Sequence, residues 1–309
     1  MLSGVARGGS LRGKACSIID APSDLGLRRT GVGGLPDALR EAGLLEGLPD
    51  VRSAGRLPVP PYVPLRDDAT GVLNLDGIRT FSFQLAERVA FTLDLGHFPV
   101  VLGGDCSVLL GAALALRRRG RFGLFFFDGH ADFYSPAAEP NGEVASMELA
   151  IVTGREPAAL ADLDGRRPLM REEDIVVFGY RDGASAAEYG SPDVRRTALH
   201  ALDLAEVRRL GPAAAARQGL AALEANGVEG FWIHLDADVL NDEAMPAVDY
   251  RMPDGLWPEE LSEALAVVLA SPLAVGLEVT IYNPTFDDPE RSAARALTRA
   301  ITAAFAAVV

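Results

Sequence analysis

Short apolar runs alternate along this chain with amphipathic stretches. ACSIID (15–20), FPVVLGGD (98–105), FGLFFFD (122–128), DIVVFGY (174–180), GFWIHLDAD (230–238) and LAVGLEVTIY (273–282) read as β-strands. They are continuously apolar rather than alternating, as parallel strands covered on both faces are. Between them, segments 73–96, 107–120, 211–227 and 257–271 repeat apolar residues at helical spacing and read as helices. The last opens on Pro258 followed by Glu259 and Glu260, a helix N-terminal signature. Proline-dense LPVPPYVPLRDD (57–68) reads as a surface loop, and no internal repeat breaks the series. The alternation predicts an α/β fold with a mostly parallel, doubly wound sheet, forming one domain over 1–309. In such sheets, active sites lie at the carboxyl ends of the strands.

Composition works mainly by exclusion. The 309 residues, 49% of them apolar, suffice for a large core. With 43 acidic against 29 basic residues the net charge is −14, which argues against nucleic acid or an anionic membrane surface as partner. The two cysteines, Cys16 and Cys106, make no disulfide framework and suit a reducing cytoplasm. The opening MLSGVARGGSLRGK lacks the apolar segment of a signal peptide, and no apolar run reaches the ~18 residues of a membrane span.

Chemistry collects at the strand ends. The first cluster is Asp105 and Cys106, the second Asp128, His130 and Asp132, the third Asp236 and Asp238. In extended backbone, residues two apart face the same way, so each cluster can aim its ligands at one point. Any one of these aspartates alone reads as a helix cap or turn former. Three clusters at three strand ends do not, because carboxylates packed so closely repel one another and cannot all ionise. Divalent cations are the simplest remedy.

GGDCS (103–107), DGHAD (128–132) and HLDADVLND (234–242) resemble the metal motifs of the ureohydrolases, the arginases, agmatinases and their relatives. The likeness continues in the segments 18–44, 245–256 and 276–284, nearly the whole chain. It implies a three-layer α/β/α fold and a binuclear Mn2+ centre, two ions per subunit, hydrolysing a C–N bond of a small guanidino or amidino molecule. Carried over, Cys106, Asp128, Asp132 and Asp236 would hold one ion. His130, Asp128, Asp236 and Asp238 would hold the other, with hydroxide between the ions as nucleophile. A homo-oligomer, trimer or hexamer, is also implied.

The departures from the family pattern bear on the substrate. Cys106 stands where the family has histidine; a thiolate adds negative charge and opens that site to Zn2+ or Fe2+. Ile281 stands where the family has the glutamate that pairs with guanidinium, and Glu278 occupies an upstream acid position. Asp249 and Tyr250 replace small loop residues, and Asp249 is either a substitute anion or a turn residue. Asn141 falls at the family's proton-shuttle histidine, leaving His234 or Glu143 to move protons; Asp132 completes the expected catalytic set. Asn141, Asp249, Tyr250 and Glu278 are the expected substrate contacts. Three functions stay open at this point. They are a hydrolase of guanidines such as an Nω-hydroxyarginine-like compound, an amidohydrolase of non-cationic substrates using Arg181 or Arg251, and a metal-binding protein with little catalysis.

Overall fold

The computed structural model describes residue 11 and residues 13–308. Residues 1–10, 12 and 309, including most of the N-terminal stretch read above for a leader, lie outside the described residues. Eight strands form one sheet: β1 (Cys16–Asp20), β2 (Val51–Arg56), β3 (Phe98–Leu102), β4 (Phe122–Phe127), β5 (Ile175–Phe178), β6 (His200–Leu202), β7 (Gly230–Asp236) and β8 (Ala274–Thr280). Their order is β2-β1-β3-β8-β7-β4-β5-β6, and every pairing is parallel.

Ten α-helices accompany the sheet among the described residues: α1 (Leu35–Glu41), α2 (Leu75–Asp94), α3 (Leu109–Arg117), α4 (Glu148–Val152), α5 (Ala158–Ala161), α6 (Gly183–Glu188), α7 (Leu204–Leu210), α8 (Pro212–Ala225), α9 (Pro258–Leu269) and α10 (Ser292–Ala306). Successive strand side chains point to opposite faces. Phe125 and Phe127 therefore join Ile233, Leu277 and the apolar faces of α8, α9 and α10 in one core. Leu124 and Phe126 join Trp232, Val101 and the faces of α2, α3 and α4 in the other. The result is three layers, as the resemblance implies.

The pattern misses β2, β6, the short helices α1, α4, α5, α6 and α7, and α10. The first two are the edges of the sheet. β2 is half-exposed and carries Arg52, Ser53, Gly55 and Arg56, so no apolar run announces it. The expected strand over 98–105 stops at Leu102, where Gly103 and Gly104 turn the chain. A Cβ on Gly104 would lie 1.8 Å from the Ser23 carbonyl oxygen, so only glycine lets these backbones pass.

Candidate metal centre

The turns after β3, β4 and β7 bring the three clusters together. Asp105 caps the turn after β3, its carboxylate accepting from Ser107 N at 2.8 Å and from Ser23 Oγ at 2.8 Å. That leaves it a structural residue and sets Cys106 at the start of the 3-10 turn leading into α3. After β4, Gly129 N donates to Asp238 Oδ1 at 2.9 Å. A Cβ there would lie 2.6 Å from the Asp238 carbonyl oxygen, so glycine is what lets the two loops touch. Asp132 turns in the left-handed region at φ 44°, which aspartate tolerates.

Cys106 Sγ lies 2.9 Å from Asp236 Oδ2. His130 Nδ1 lies 2.8 Å from Asp238 Oδ2 and 3.8 Å from Asp128 Oδ1. Among the described residues three donor groups emerge, in each of which the ligand atoms lie within 4.8 Å of one another: Cys106, Asp128, His234 and Asp236; Cys106, Asp128, Asp132 and Glu148; and Asp128, His130 and Asp238. Asp128 Oδ2 is buried with no hydrogen-bond partner, and no amide, hydroxyl or cationic group donates to either buried carboxylate oxygen of Glu148. Burial first, then mutual repulsion, pushes the carboxyls of Asp128, Asp132 and Asp236 well up; burial pushes Glu148 up as well, against the hydrogen bond it shares with the Asp132 carboxyl. Burial and Asp236 push the Cys106 thiol up as well. Burial opposes both charges of the His130–Asp238 pair, but their mutual attraction prevails and raises the one while lowering the other. Unpartnered buried oxygens, a thiol and an imidazole within one small volume fit divalent cations, which would supply the missing partners.

Above this cluster opens a cavity of about 360 Å³, with His130, Asp132, Asp236 and Asp238 in its wall. Asn141, Asp249, Tyr250, Arg251 and Ile281 also line it, with Tyr134, Tyr189 and Met252. Asp249 accepts from Thr30 Oγ1 and, at 3.1 Å, from Asn283 Nδ2; burial raises its pKa. Tyr250 donates its hydroxyl to Glu143 and accepts from Asn141 Nδ2 at 3.3 Å.

Several expected residues stand elsewhere. Glu143 is buried behind Tyr250, its carboxylate also taken by Arg28 N at 2.8 Å, and does not line the cavity. His234 and Glu278 sit opposite each other on β7 and β8, fully buried, with His234 Nδ1 2.7 Å from Glu278 Oε1. The His234 ring stacks on Phe126, and its Nε2 lies 3.5 Å from Thr280 Oγ1 and 3.9 Å from Asp128 Oδ2. Glu278 is therefore a partner of His234, away from the cavity wall, because strand alternation turns it inward. Arg181 spends its guanidinium on the carbonyls of Asp238 and Pro253, at 3.0 and 3.1 Å. Arg251 does reach the cavity, braced on Asp242 at 2.6 and 2.9 Å. The segment carrying Asn141 also contributes Ala145 and Ser146 to the wall, and none of the three titrates as a base. Glu148 is the residue that the strand-end reading omits. Its signal is a lone acid within VASMELAIV, an otherwise apolar and small run.

Comparisons with known proteins bear on the family and the fold. The family model for the Arginase family matches residues 14–306. An arginase of Staphylococcus aureus (strain MSSA476) is 29% identical over 291 residues, 92% of this chain and 95% of the relative. An arginase of Bacillus caldovelox is 29% identical over 290 residues, 92% of this chain and 96% of the relative. The crystal structure of Bacillus cereus arginase matches with a TM-score of 0.82 at 27% identity, covering 94% of this chain and 98% of that one. The proclavaminate amidino hydrolase of Streptomyces clavuligerus shares the fold, with a TM-score of 0.71 at 19% identity over 99% of both chains.

Proposed function

Because the chain belongs to the arginase family, hydrolases of non-peptide amidine C–N bonds, we propose that its substrate is a weakly basic guanidino compound, of the N-hydroxyguanidine kind, cleaved at a two-cation centre. The observation that carries this reading is the donor cluster with its unpartnered Asp128 oxygen, lying directly beneath a cavity whose wall presents Ile281. Cys106, Asp128, Asp132 and Asp236 would hold one Mn2+ and His130, Asp128, Asp236 and Asp238 the other. Bound there, two dications neutralise the carboxylates, polarise the substrate and acidify water.

The chain's own residues do the rest. His130 Nδ1 and Asp238 Oδ2, 2.8 Å apart, face one point, as two ligands of one ion must. Ile281 offers no ion pair, so a fully charged guanidinium loses its solvation there without a partner. Hydroxylation lowers guanidine basicity and reduces that loss. Asp249, with its raised pKa, suits a hydrogen-bonded contact with a neutral or weakly basic group. Tyr250, locked between Glu143 and Asn141, gives the wall a fixed donor–acceptor edge.

Turnover of arginine, agmatine and Nω-hydroxyarginine by the Mn2+-loaded protein tests the reading. Hydroxyurea release should exceed urea release by at least about tenfold in kcat/KM, ~1.4 kcal/mol in the transition state. Equal turnover of arginine would refute the substrate assignment. Arg251 at the cavity wall favours a second reading, an amidohydrolase of acidic substrates, whose signature is ammonia from carboxamides or formamide from formimino acids, with no urea formed.

A further inference from the structure

We propose that Glu148 is itself a cation ligand, forming with Cys106, Asp128 and Asp132 a four-donor site for one divalent ion. The proposal rests on the two-cation reading and changes its donor set. The ligand atoms of these four residues lie within 4.8 Å of one another, and all four side chains are buried. Glu148 is fully buried, no amide, hydroxyl or cationic group donates to either carboxylate oxygen, and its carboxyl neighbour is Asp132, itself one of the four donors.

The fold holds it in that place. Ala150 N in α4 donates to Asp132 O at 3.3 Å, and Tyr134 N donates to Ser146 O at 3.2 Å. The segment entering α4 is thus laced along the loop that follows β4. Met147, Leu149 and Ile151 on either side belong to the apolar core. A charged group in such a wall is tolerated only when it is paired, coordinates a metal, or takes up a proton. Among the described residues no cation pairs with it, since none of their ion pairs includes Glu148. A bound ion gives both oxygens a partner at once. One thiolate and three carboxylates contain no imidazole, so the site combines hard oxygen donors with a single soft sulfur. That mixture accepts Mn2+ and also Fe2+, Co2+ or Zn2+.

Glutamine has the shape of a protonated glutamate, so Glu148→Gln separates ligation from simple protonation. The chelator-stripped protein is titrated calorimetrically with MnCl2, and with CoCl2 while the thiolate-to-cobalt charge-transfer band is followed. The wild type should take up two ions per chain. Glu148→Gln and Glu148→Met should weaken one of them by at least about tenfold and shift the cobalt–thiolate band. Asp238→Asn should weaken the other ion and leave that band in place. Wild-type affinity and spectrum in both Glu148 variants would overturn the proposal while leaving the two-cation reading intact. A wild type that binds no divalent ion would overturn both. Anomalous scattering from Mn2+-soaked wild-type crystals requires no variant: an ion in coordinating distance of the Glu148 carboxylate supports the assignment, and an ion out of its reach refutes it.

Discussion

Ile281 adopts the left-handed region at φ 69°, a conformation that a β-branched side chain enters only under constraint. The constraint is visible. Ile281 N donates to Gly104 O at 2.8 Å, and Asn283 N, two residues on, donates to Ala247 O at 2.8 Å. The strand end is thus pulled between the Cys106 turn and the loop that carries Asp249. Replacing Ile281 by glycine removes apolar contact but releases ~1–3 kcal/mol of backbone strain. We expect Ile281→Gly to stay within about 1 kcal/mol of wild type, whereas Leu277→Ala, in ordinary strand backbone, should cost ~2–5 kcal/mol. Urea denaturation of both variants checks this, and a large loss for Ile281→Gly would show that the backbone there is unstrained. At this scale the sequence picks out donors but not their direction. Residues 128, 130 and 132 lie past the end of β4, where Asp132 turns left-handed, so His130 and Asp132 serve different donor groups instead of one point set by strand alternation. Glu148 escapes such reading because its placement depends on how a short helix docks, a tertiary fact with no local period.

The turns that carry the donors depend on glycines whose neighbours leave no room. Gly104→Ala would drive a methyl into the Ser23 carbonyl, so it should lower stability by ~1–3 kcal/mol or more and misplace Cys106. At Gly183, the start of α6, an added methyl would meet nothing within 4 Å. Gly183→Ala should therefore be neutral or stabilising by up to ~1 kcal/mol. Thermal melts of the two variants, with Mn2+ titration of the first, test the contrast; similar melts would mean that the Gly104 turn can relax. Elements are legible in proportion to their burial. The six inner strands announce themselves as apolar runs, while β2, half-exposed, and β6, three residues long, are edges whose strand character comes from their neighbours. α10 stays hidden although its face packs on β3 through Phe98 and Phe305. A period is present all the same, since Leu297, Ile301 and Phe305 recur every four residues along its buried face.

The whole chain bears a net charge of −14, and its densest knot of acids lies inside rather than on the surface. No helix among the described residues is long and apolar enough to cross a membrane. Ions bound to the folded chain alone should stabilise it by ~2.7 kcal/mol per site at a hundred times the dissociation constant. Melts in Mn2+ and in chelator measure that difference, and coincident curves would count against any cation in the centre. Its donors follow β3, β4 and β7, which lie close in the sheet with β8 among them, yet Cys106 and Asp238 stand far apart along the chain. An extended or half-collapsed polypeptide cannot present that constellation, so an ion finds its seat only after the chain has closed around it. Stopped-flow traces should then show Mn2+ slowing the opening of the protein while the closing rate stays as it is without metal.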